Sequence, residues 1–533
     1  MKADLIVSGS RVREPSGVRG DAVAVRGGRI LAVGRRDQLR SWAGHGTRWL
    51  HVDGATWVPG FIDSHLHLLS FGFSLGRLDL GGCQSIEELT SRVARAAQQR
   101  PEGTWILGGG WDQDSFREKR YPTREDLDAA APRHPVLLRR ACGHVAVANS
   151  LALRMAEVTA ETADPPGGAI DRHPDGEPTG VLRERAIELV TGKIPPPEFE
   201  ELCFALRRAV RFAWSVGVTS VHTEDVRAAG GLDPLLRAYE RVLREEEMPL
   251  GVYLDIFWQA FGELRERGLR TGDGDDLLRI GAVKLFADGS LGAATAALSE
   301  PYADEPGNTG ILVMQPDELE RAVSECHLAG MQVAIHAIGD GAIELGLRAI
   351  GRALQQHPRQ DARHRLIHCQ VMRQDLLEGF LRYGVVADIQ PKFVGTDQRW
   401  AEARLGKERL RWAYAWRSMW EAGLKLAGGS DCPVEPLNPA YGLHAAVTRC
   451  DLSGQPEGGW QPQQRLSAEQ ALHLFTAGAA YASFEEGKRG TIQPGAIADL
   501  VALDGDPVTV EPDRLKDLRV LATVAQGRVV YLP

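Results

Sequence analysis

The chain has 533 residues, of which 43% are hydrophobic and 25% charged. That is ordinary globular composition; it excludes a disordered, collagenous or fibrous protein and is long enough for a large core without covalent staples. The 62 basic and 71 acidic residues leave a net charge of −9, which gives a phosphate backbone or an anionic membrane no footing as the main partner.

The first residues, MKADLIVSGSRV, lack the apolar stretch of about 7–15 residues that marks a signal peptide. No apolar run approaches the ~20 residues of a membrane span. Cys83, Cys142, Cys203, Cys326, Cys369, Cys432 and Cys450 are scattered, odd in number and free of any CxxC pair. That usage fits a reducing compartment rather than a disulfide framework. The expectation is a cytoplasmic protein with no membrane and no nucleic-acid partner.

Residues 1–56 read as short strands and turns, with Arg26-Gly27-Gly28-Arg29 as a hairpin signal between two alternating apolar runs. Residues 489–533 have the same texture, so the two ends are expected to build one small β domain. Between them, residues 57–488 alternate apolar runs with amphipathic stretches. Eight runs are candidate parallel strands: WVPGFIDSH, GVTSVHT, GVYLDIF, AVKLFADG, QVAIHAIG, RLIHCQ, GVVADIQ and LKLAGGSD. Stretches such as DELERAVSECHLAGM and RLRWAYAWRSMWEAG are expected to be the intervening helices. This α/β alternation predicts a (β/α)8 TIM barrel. Residues from about 75 to 200 break the pattern after the first strand. They carry runs of their own, TWILGGGW and HPVLLRRACGHVAV, and are too long for a loop, so an inserted subdomain is expected there.

The sharpest local feature is Asp63-Ser64-His65-Leu66-His67. Side chains at i and i+2 of a strand share a face, so His65 and His67 can converge on one metal ion; alone they could equally be polar strand-end histidines. His336 in VAIHAIGD, His368 in RLIHCQ and Asp431 in LKLAGGSD fall at the ends of the fifth, sixth and eighth runs. Barrel enzymes hold their reactive groups at those ends. Lys284, in AVKLFADG, is costly to bury unless paired. Burial favours its neutral amine, which can take up CO₂ and become a carboxylate-like bridge between two metals. The competing readings are a lysine reaching the rim or paired with Asp288. His144 in the insertion, with Trp111, is a candidate substrate contact, as is Asp288, for which a turn is the simpler reading. His222 and Glu224 are left open. Trp111, Phe116, Tyr121, Phe257, Trp258, Phe286, Phe393 and Trp400 could line an apolar pocket or belong to the core.

PGFIDSHLH, the lysine strand, the two histidine strands, GGSDCPV and the tail RGTIQPGAIADLVALDGDP resemble the amidohydrolase superfamily. GGGWDQ, GHVAVANS, KLFADGSLGAATA, PGNTG and SDCPVEPLNP are similar to the branch that includes N-substituted formamide deformylase. The resemblance spans nearly the whole chain. It implies a metal-dependent barrel hydrolase with a composite β-sandwich, with His65 and His67 on one metal, His336 and His368 on the other, carboxylated Lys284 as bridge, and Asp431 as ligand and acid/base. A homodimer is implied by the resemblance only.

Two Zn ions are the expected cofactor; a single Zn, Fe or Mn held by His65, His67, His336 and Asp431 is the alternative. The expected reaction is cleavage of a non-peptide C–N bond, amide or formamide-like, in a small-molecule substrate, by metal-activated hydroxide with Asp431 moving the proton. Ester, lactone or cyclic-amide hydrolysis at the same site, or a barrel that binds without catalysis, are the competing functions.

Overall fold

The structure is a computed structural model that describes residues 1–141 and 144–533. Cys142, one of the seven cysteines, and Gly143, which opens the GHVAVANS motif, lie outside the described residues. The chain divides into two compact units: Met1–Gly72 with Glu198–Pro533, and Phe73–Pro197.

The first unit contains the barrel. Its strands are β1 (Phe61–Leu66), β2 (Val218–Glu224), β3 (Gly251–Phe257), β4 (Leu278–Phe286), β5 (Val333–Ala337), β6 (Arg365–His368), β7 (Val386–Ile389) and β8 (Lys425–Gly428). They pair in parallel in sequence order, from β1 beside β2 to β7 beside β8. β1, β2, β6 and β7 are buried along their whole length, which is why parallel strands read as continuous apolar runs rather than alternating ones. Each of the eight expected runs supplies one strand. WVPGFIDSH supplies two, because Thr56–Pro59 pairs with Leu500–Leu503 and only the second half enters the barrel.

No strand ladder joins β8 to β1 among the described residues. The chain leaving β8 closes the gap instead. Ser430 N–H donates to Asp63 Oδ1 at 3.0 Å, Asp431 N–H to His65 O at 2.7 Å and His67 N–H to Cys432 O at 2.8 Å. Gly429 permits this approach, since a Cβ there would stand 2.6 Å from His65 N.

Helices Pro316–Leu328 and Asp340–Gln356 flank β5 as the amphipathic pattern predicts. Residues 409–423 differ from the expected single helix. One helix ends at Leu410 and the next starts at Trp416, and Tyr414 between them has φ 52°. Its hydroxyl donates to Asp397 Oδ2 at 2.5 Å, and that bond to a half-buried carboxylate outweighs helix propensity.

The barrel interior carries buried charge. Arg365 donates to Ser64 O and to Asp388 Oδ2, both at 2.6 Å, and to Asp255 Oδ2 at 3.2 Å. Ser64 Oγ donates to Asp388 Oδ1 at 2.6 Å. A second charged group sits where the chain leaves the barrel: Arg489 Nε donates to Glu485 Oε1 at 3.2 Å and its Nη1 pairs with Asp499.

From there the chain enters a sheet built from both termini. In spatial order it runs Arg528–Tyr531, Val520–Ala525, Leu500–Leu503, Thr56–Pro59, Leu5–Glu14, Gly17–Arg26 and Arg29–Gly34, with Arg48–His51 beside Leu5–Glu14. Leu5, Val7, Val23, Val25, Trp57, Leu500, Ala502, Ala522 and Val524 share one core, so the sheet curls over its own apolar face. The Arg26–Arg29 turn is the expected hairpin, with Gly27 at φ 53° and Gly28 at φ 76°.

The second unit has a six-stranded sheet in the order Gly168–Arg172, Pro178–Glu184, Val145–Ala148, Val136–Arg140, Ile106–Trp111, Leu78–Asp79. Period-two alternation divides its residues between two cores. Val136, Leu138, Val145 and Val147 face helix Ile86–Gln98, whereas Leu137, Ala146 and Ala148 face helices Ser150–Met155 and Ile187–Thr191.

Removing one partner of a fully buried pair strands the other. Arg489→Met is expected to cost about 3–5 kcal/mol in chemical denaturation. Arg528→Met, which breaks an exposed pair with Glu247, should leave the midpoint unchanged within error.

Candidate metal centre

Local geometry brings the candidate ligands to one end of the barrel. β1 ends at Leu66, so His65 is its penultimate residue and His67 lies just beyond, ahead of helix Leu68–Gly76. β5 delivers His336 and β6 ends on His368. His368 and Asp431 have left-handed backbones, φ 80° and 58°. Such conformations cost ~1–3 kcal/mol each and persist where the surrounding structure enforces them. Here they turn both side chains out of the strand direction into the mouth.

The six expected groups form one connected cluster. Nε2 of His65 and Nε2 of His67 each stand 3.4 Å from Asp431 Oδ1. One ligand atom from each of these three residues lies within 4.8 Å of the others, a spacing suited to a single ion. Lys284 Nζ is 3.2 Å from His65 Nε2. The His368 ring is 5.6 Å from that of His65 and 4.5 Å from that of His336.

Hydrogen bonds at the opposite ring nitrogens decide which lone pairs are left. Nδ1–H of His67 donates to Glu224 O at 3.0 Å and Nε2–H of His336 to Gly289 O at 2.8 Å. A carbonyl only accepts, so the proton positions follow. His368 Nδ1 is 2.7 Å from Gln390 Oε1, and the Gln390 amide is oriented by donating to Asp388 O at 3.3 Å. His67 Nε2, His336 Nδ1 and His368 Nε2 thus keep their lone pairs, as metal-binding imidazoles do. This donor set, imidazole nitrogens with a carboxylate, fits a divalent metal such as zinc.

Burial governs the protonation states. It holds His65 and His336 well below the usual imidazole range and brings His368 down to about 3, so all three are neutral near pH 7. It lowers Lys284 to about 8 against the pull of Asp431 and Asp255. For Asp431 burial pushes up, but the adjacent His65 and His67 imidazoles win and hold the carboxylate well below its ordinary value. For His67 burial pushes down and the neighbouring Asp431 carboxylate wins, raising it.

The remaining expectations fare differently. Asp288 is buried and accepts backbone N–H groups from Ala297 at 2.9 Å, Ile338 at 3.0 Å and Gly339 at 2.8 Å. Its oxygens are committed to anchoring the loop after β4, which corrects its assignment as a substrate contact. Trp111 is also corrected. It is 0% exposed in the core of the second unit, beside Phe116 and Tyr121, with its indole N–H on Leu138 O at 3.1 Å. His144 is 69% exposed at its side chain, with Nδ1 2.9 Å from Glu184 Oε2. Three of the other aromatics border the cluster or its border. Phe286 is 5.3 Å from the His336 ring, Phe393 stacks on His368 at 6.1 Å, and Phe257 packs on Phe286.

Two supporting residues escaped the sequence reading. Gln390, which orients His368, is legible only as a polar residue ending the β7 run. Asp63 stands in the PGFIDSHLH motif, and its Oδ1 accepts from both His65 N–H at 3.2 Å and Ser430 N–H at 3.0 Å. One carboxylate therefore ties together the two segments that carry His65 and Asp431.

A (β/α)8 barrel gathering histidines, a lysine and an aspartate at its strand ends defines a class of metal-centred barrel proteins. Within that class the chain belongs to the amidohydrolase family, whose model matches residues 52–531. A bacterial imidazolonepropionase-like composite-domain model matches residues 22–41, in the terminal sheet. The chain is 36% identical to Protein LONG AFTER FAR-RED 3 of Arabidopsis thaliana, covering 99% of this chain and 92% of that protein. It is 29% identical to the N-substituted formamide deformylase of Arthrobacter pascens, over 99% of this chain and 98% of the enzyme. The crystal structure of an uncharacterized metal-dependent hydrolase from Pyrococcus furiosus superposes with a TM-score of 0.80 at 33% identity, covering 95% of this chain and 100% of that one.

Burial raises the Asp63 carboxyl to about 7 from 3.8. The folded state then keeps a proton that the unfolded state has lost between those values, so this stabilising contribution fades as pH rises toward 7. In metal-stripped protein, Asp63→Asn should gain on wild type by about 1.4 kcal/mol per pH unit from pH 5 to 7, with a constant difference above. Parallel stability curves across that range would reject a protonated Asp63.

Proposed function

We propose that this protein is a metal-dependent hydrolase that cleaves a non-peptide C–N bond, amide or formamide-like, in a small molecule. The family supports a hydrolase with a divalent metal. The observation that carries the finer reading is the single cluster of His65, His67 and Asp431 with Lys284 and the His336–His368 pair. The 29% identity to a formamide deformylase along the whole chain favours carbon–nitrogen chemistry.

In this reading His65 and His67 would hold one metal and His336 and His368 a second, a donor set of imidazole and carboxylate that suits zinc. When bound, such a metal lowers the pKa of a coordinated water from about 15.7 to about 7 and polarises the scissile carbonyl. Lys284, with its depressed pKa, offers a neutral amine to CO₂. The N–C bond would form as a proton is released to solvent, and the resulting carbamate would supply a carboxylate-like ligand beside His65. Asp431 accepts the proton of the attacking water as its oxygen bonds to the carbonyl carbon. It returns that proton to the nitrogen as the C–N bond breaks, sparing the departure of an amide anion. Phe286 and Phe393 give the reacting group an apolar border that excludes water and favours an apolar substituent. The cytoplasm is the proposed location, supported by six free, buried cysteines among the described residues. Among those residues no helix is long and apolar enough to cross a membrane.

The test is metal analysis of the purified chain followed by a formamide, amide, ester and lactone panel. Formamide or amide hydrolysis that is lost on chelation and restored by zinc is the expected result. Asp431→Asn should retain the fold and lose about 10²–10⁴ in turnover, the usual worth of acid–base help. Undiminished turnover in that variant would remove Asp431 from the chemistry. Activity confined to esters or lactones would reassign the bond, and a metal-free chain without hydrolysis would point to a binding protein.

A further inference from the structure

His67 stands outside β1 and ahead of its helix, so neither element fixes it. Its own N–H is held by Cys432 O on the Asp431 loop. Three further bonds from residues 67–69 end on the last residues of β2 and the one after. His67 Nδ1–H donates to Glu224 O at 3.0 Å, Leu68 N–H to Thr223 Oγ1 at 2.9 Å and Leu69 N–H to Asp225 Oδ1 at 2.9 Å. Leu68 and Leu69 open helix Leu68–Gly76, so their N–H groups have no partner within it. A helix usually caps itself from the residue just before it; here that residue is His67, whose ring is needed elsewhere. β2 supplies the cap from about 155 positions along the chain.

The cap is itself braced. Thr223 Oγ1, which accepts from Leu68, donates to Asp225 Oδ2 at 2.8 Å. Tyr239, fully buried on helix Leu232–Glu240, donates its hydroxyl to the same oxygen at 2.6 Å. Asp225 therefore collects three donors in full burial, where a hydrogen bond to a carboxylate is strong and an unmade one is costly.

We propose that Asp225, braced by Tyr239 and Thr223, is a positioning residue for His67, holding the helix start so that His67 Nε2 faces Asp431. The inference rests on the metal-centre reading given above. It gives the sequence SVHTED a use that neither the ligand motif nor the family membership assigns. The physical route is short: Asp225 fixes the backbone at Leu69, its neighbour Glu224 fixes the imidazole through its carbonyl, and the two anchors are consecutive residues. Loosening Asp225 shifts both together, and a displacement well under 1 Å at a ligand nitrogen weakens a metal bond. Partners behind a ligand are typically worth about 10–100-fold in metal affinity.

The test uses the full chain, stripped of metal and titrated with Zn(II) and Co(II) against a chromophoric chelator, with melting curves alongside. Tyr239→Phe, which deletes one hydroxyl, should weaken affinity about tenfold, and Asp225→Asn about 10–100-fold. Thr223→Ser keeps the hydroxyl and should rescue near-wild-type affinity, whereas Thr223→Val should not. Tyr414→Phe removes a part-buried tyrosine–aspartate bond elsewhere and should lower the melting temperature without moving affinity. Should Asp225→Asn fail to fold, Tyr239→Phe and the Thr223 pair still decide. Wild-type affinity in Tyr239→Phe and Thr223→Val would overturn the positioning role and leave the metal centre standing. A wild-type chain that takes up neither ion would bring down the metal centre, and this inference with it.

Discussion

The site depends on the seam between β1 and β8. These strands lie at the two ends of the sheet order and some 360 residues apart in sequence, and among the described residues no strand ladder joins them. The seam consists of backbone groups: Asp431 N–H on His65 O, His67 N–H on Cys432 O, and Ser430 N–H on the Asp63 carboxylate. Because the bonded residues are the candidate ligands or their neighbours, closing the barrel and assembling the centre are one event. A side chain held only by its own rotamer can drift, whereas one whose backbone is hydrogen-bonded to the opposite ligand segment cannot drift alone. The left-handed backbones of Asp431 and His368 belong to the same account, since conformations that cost free energy survive where neighbouring bonds over-determine them.

Much of this architecture was legible in the sequence because hydrophobic runs and turn chemistry report on local structure. All eight barrel strands came from runs of apolar residues, and the Gly27-Gly28 hairpin from the backbone freedom of two glycines. The cluster of His65, His67, Lys284, His336, His368 and Asp431 was legible for a different reason: each stands at or near a strand end, where polar residues have no packing use. What was not legible is partnership. Asp63, Thr223, Asp225 and Gln390 are polar residues among polar and apolar ones, and their meaning lies in which backbone group stands opposite. Asp288, for which a turn is the simpler sequence reading and a substrate contact the alternative, anchors three N–H groups. Trp111, open between pocket wall and core, lies in the core, because an aromatic side chain carries the same signature in both settings. The helix expected over residues 409–423 failed for the same reason, through the unforeseen bond of Tyr414 to Asp397.

Burial then sets the chemistry. Taking an imidazole or an amine out of water penalises its cation, so His65, His336, His368 and Lys284 all lean toward their neutral, electron-donating forms. Asp431 resists the same pressure because two imidazoles face one of its oxygens. Beneath them Arg365 carries permanent charge with no exposure, and it is tolerated because two carboxylates and the Ser64 carbonyl absorb its donors. The strand positions separate these tasks. On β1, Ser64 binds the arginine and His65 faces the cluster; on β6, Arg365 begins the strand and His368 ends it. Permanent charge is kept lower in the lumen, and the imidazoles with Asp431 are kept at the mouth.

That separation explains why the supporting bonds end so often on backbone atoms. A carbonyl such as Glu224 O or Gly289 O has no protonation state, so the imidazole donating to it keeps one tautomer whatever the pH or the charge of its surroundings. A carboxylate in the same place would stabilise the imidazolium. Gln390 serves His368 on equal terms, being neutral and oriented by Asp388 O. Asp63 and Asp225 instead accept from backbone N–H groups of the candidate ligand segments, those of His65, Ser430 and Leu69, where they fix position without a hydrogen bond to the imidazoles themselves. Rigid placement and protonation are thereby assigned to different atoms, the backbone groups fixing the imidazoles and the ring nitrogens opposite them keeping their lone pairs.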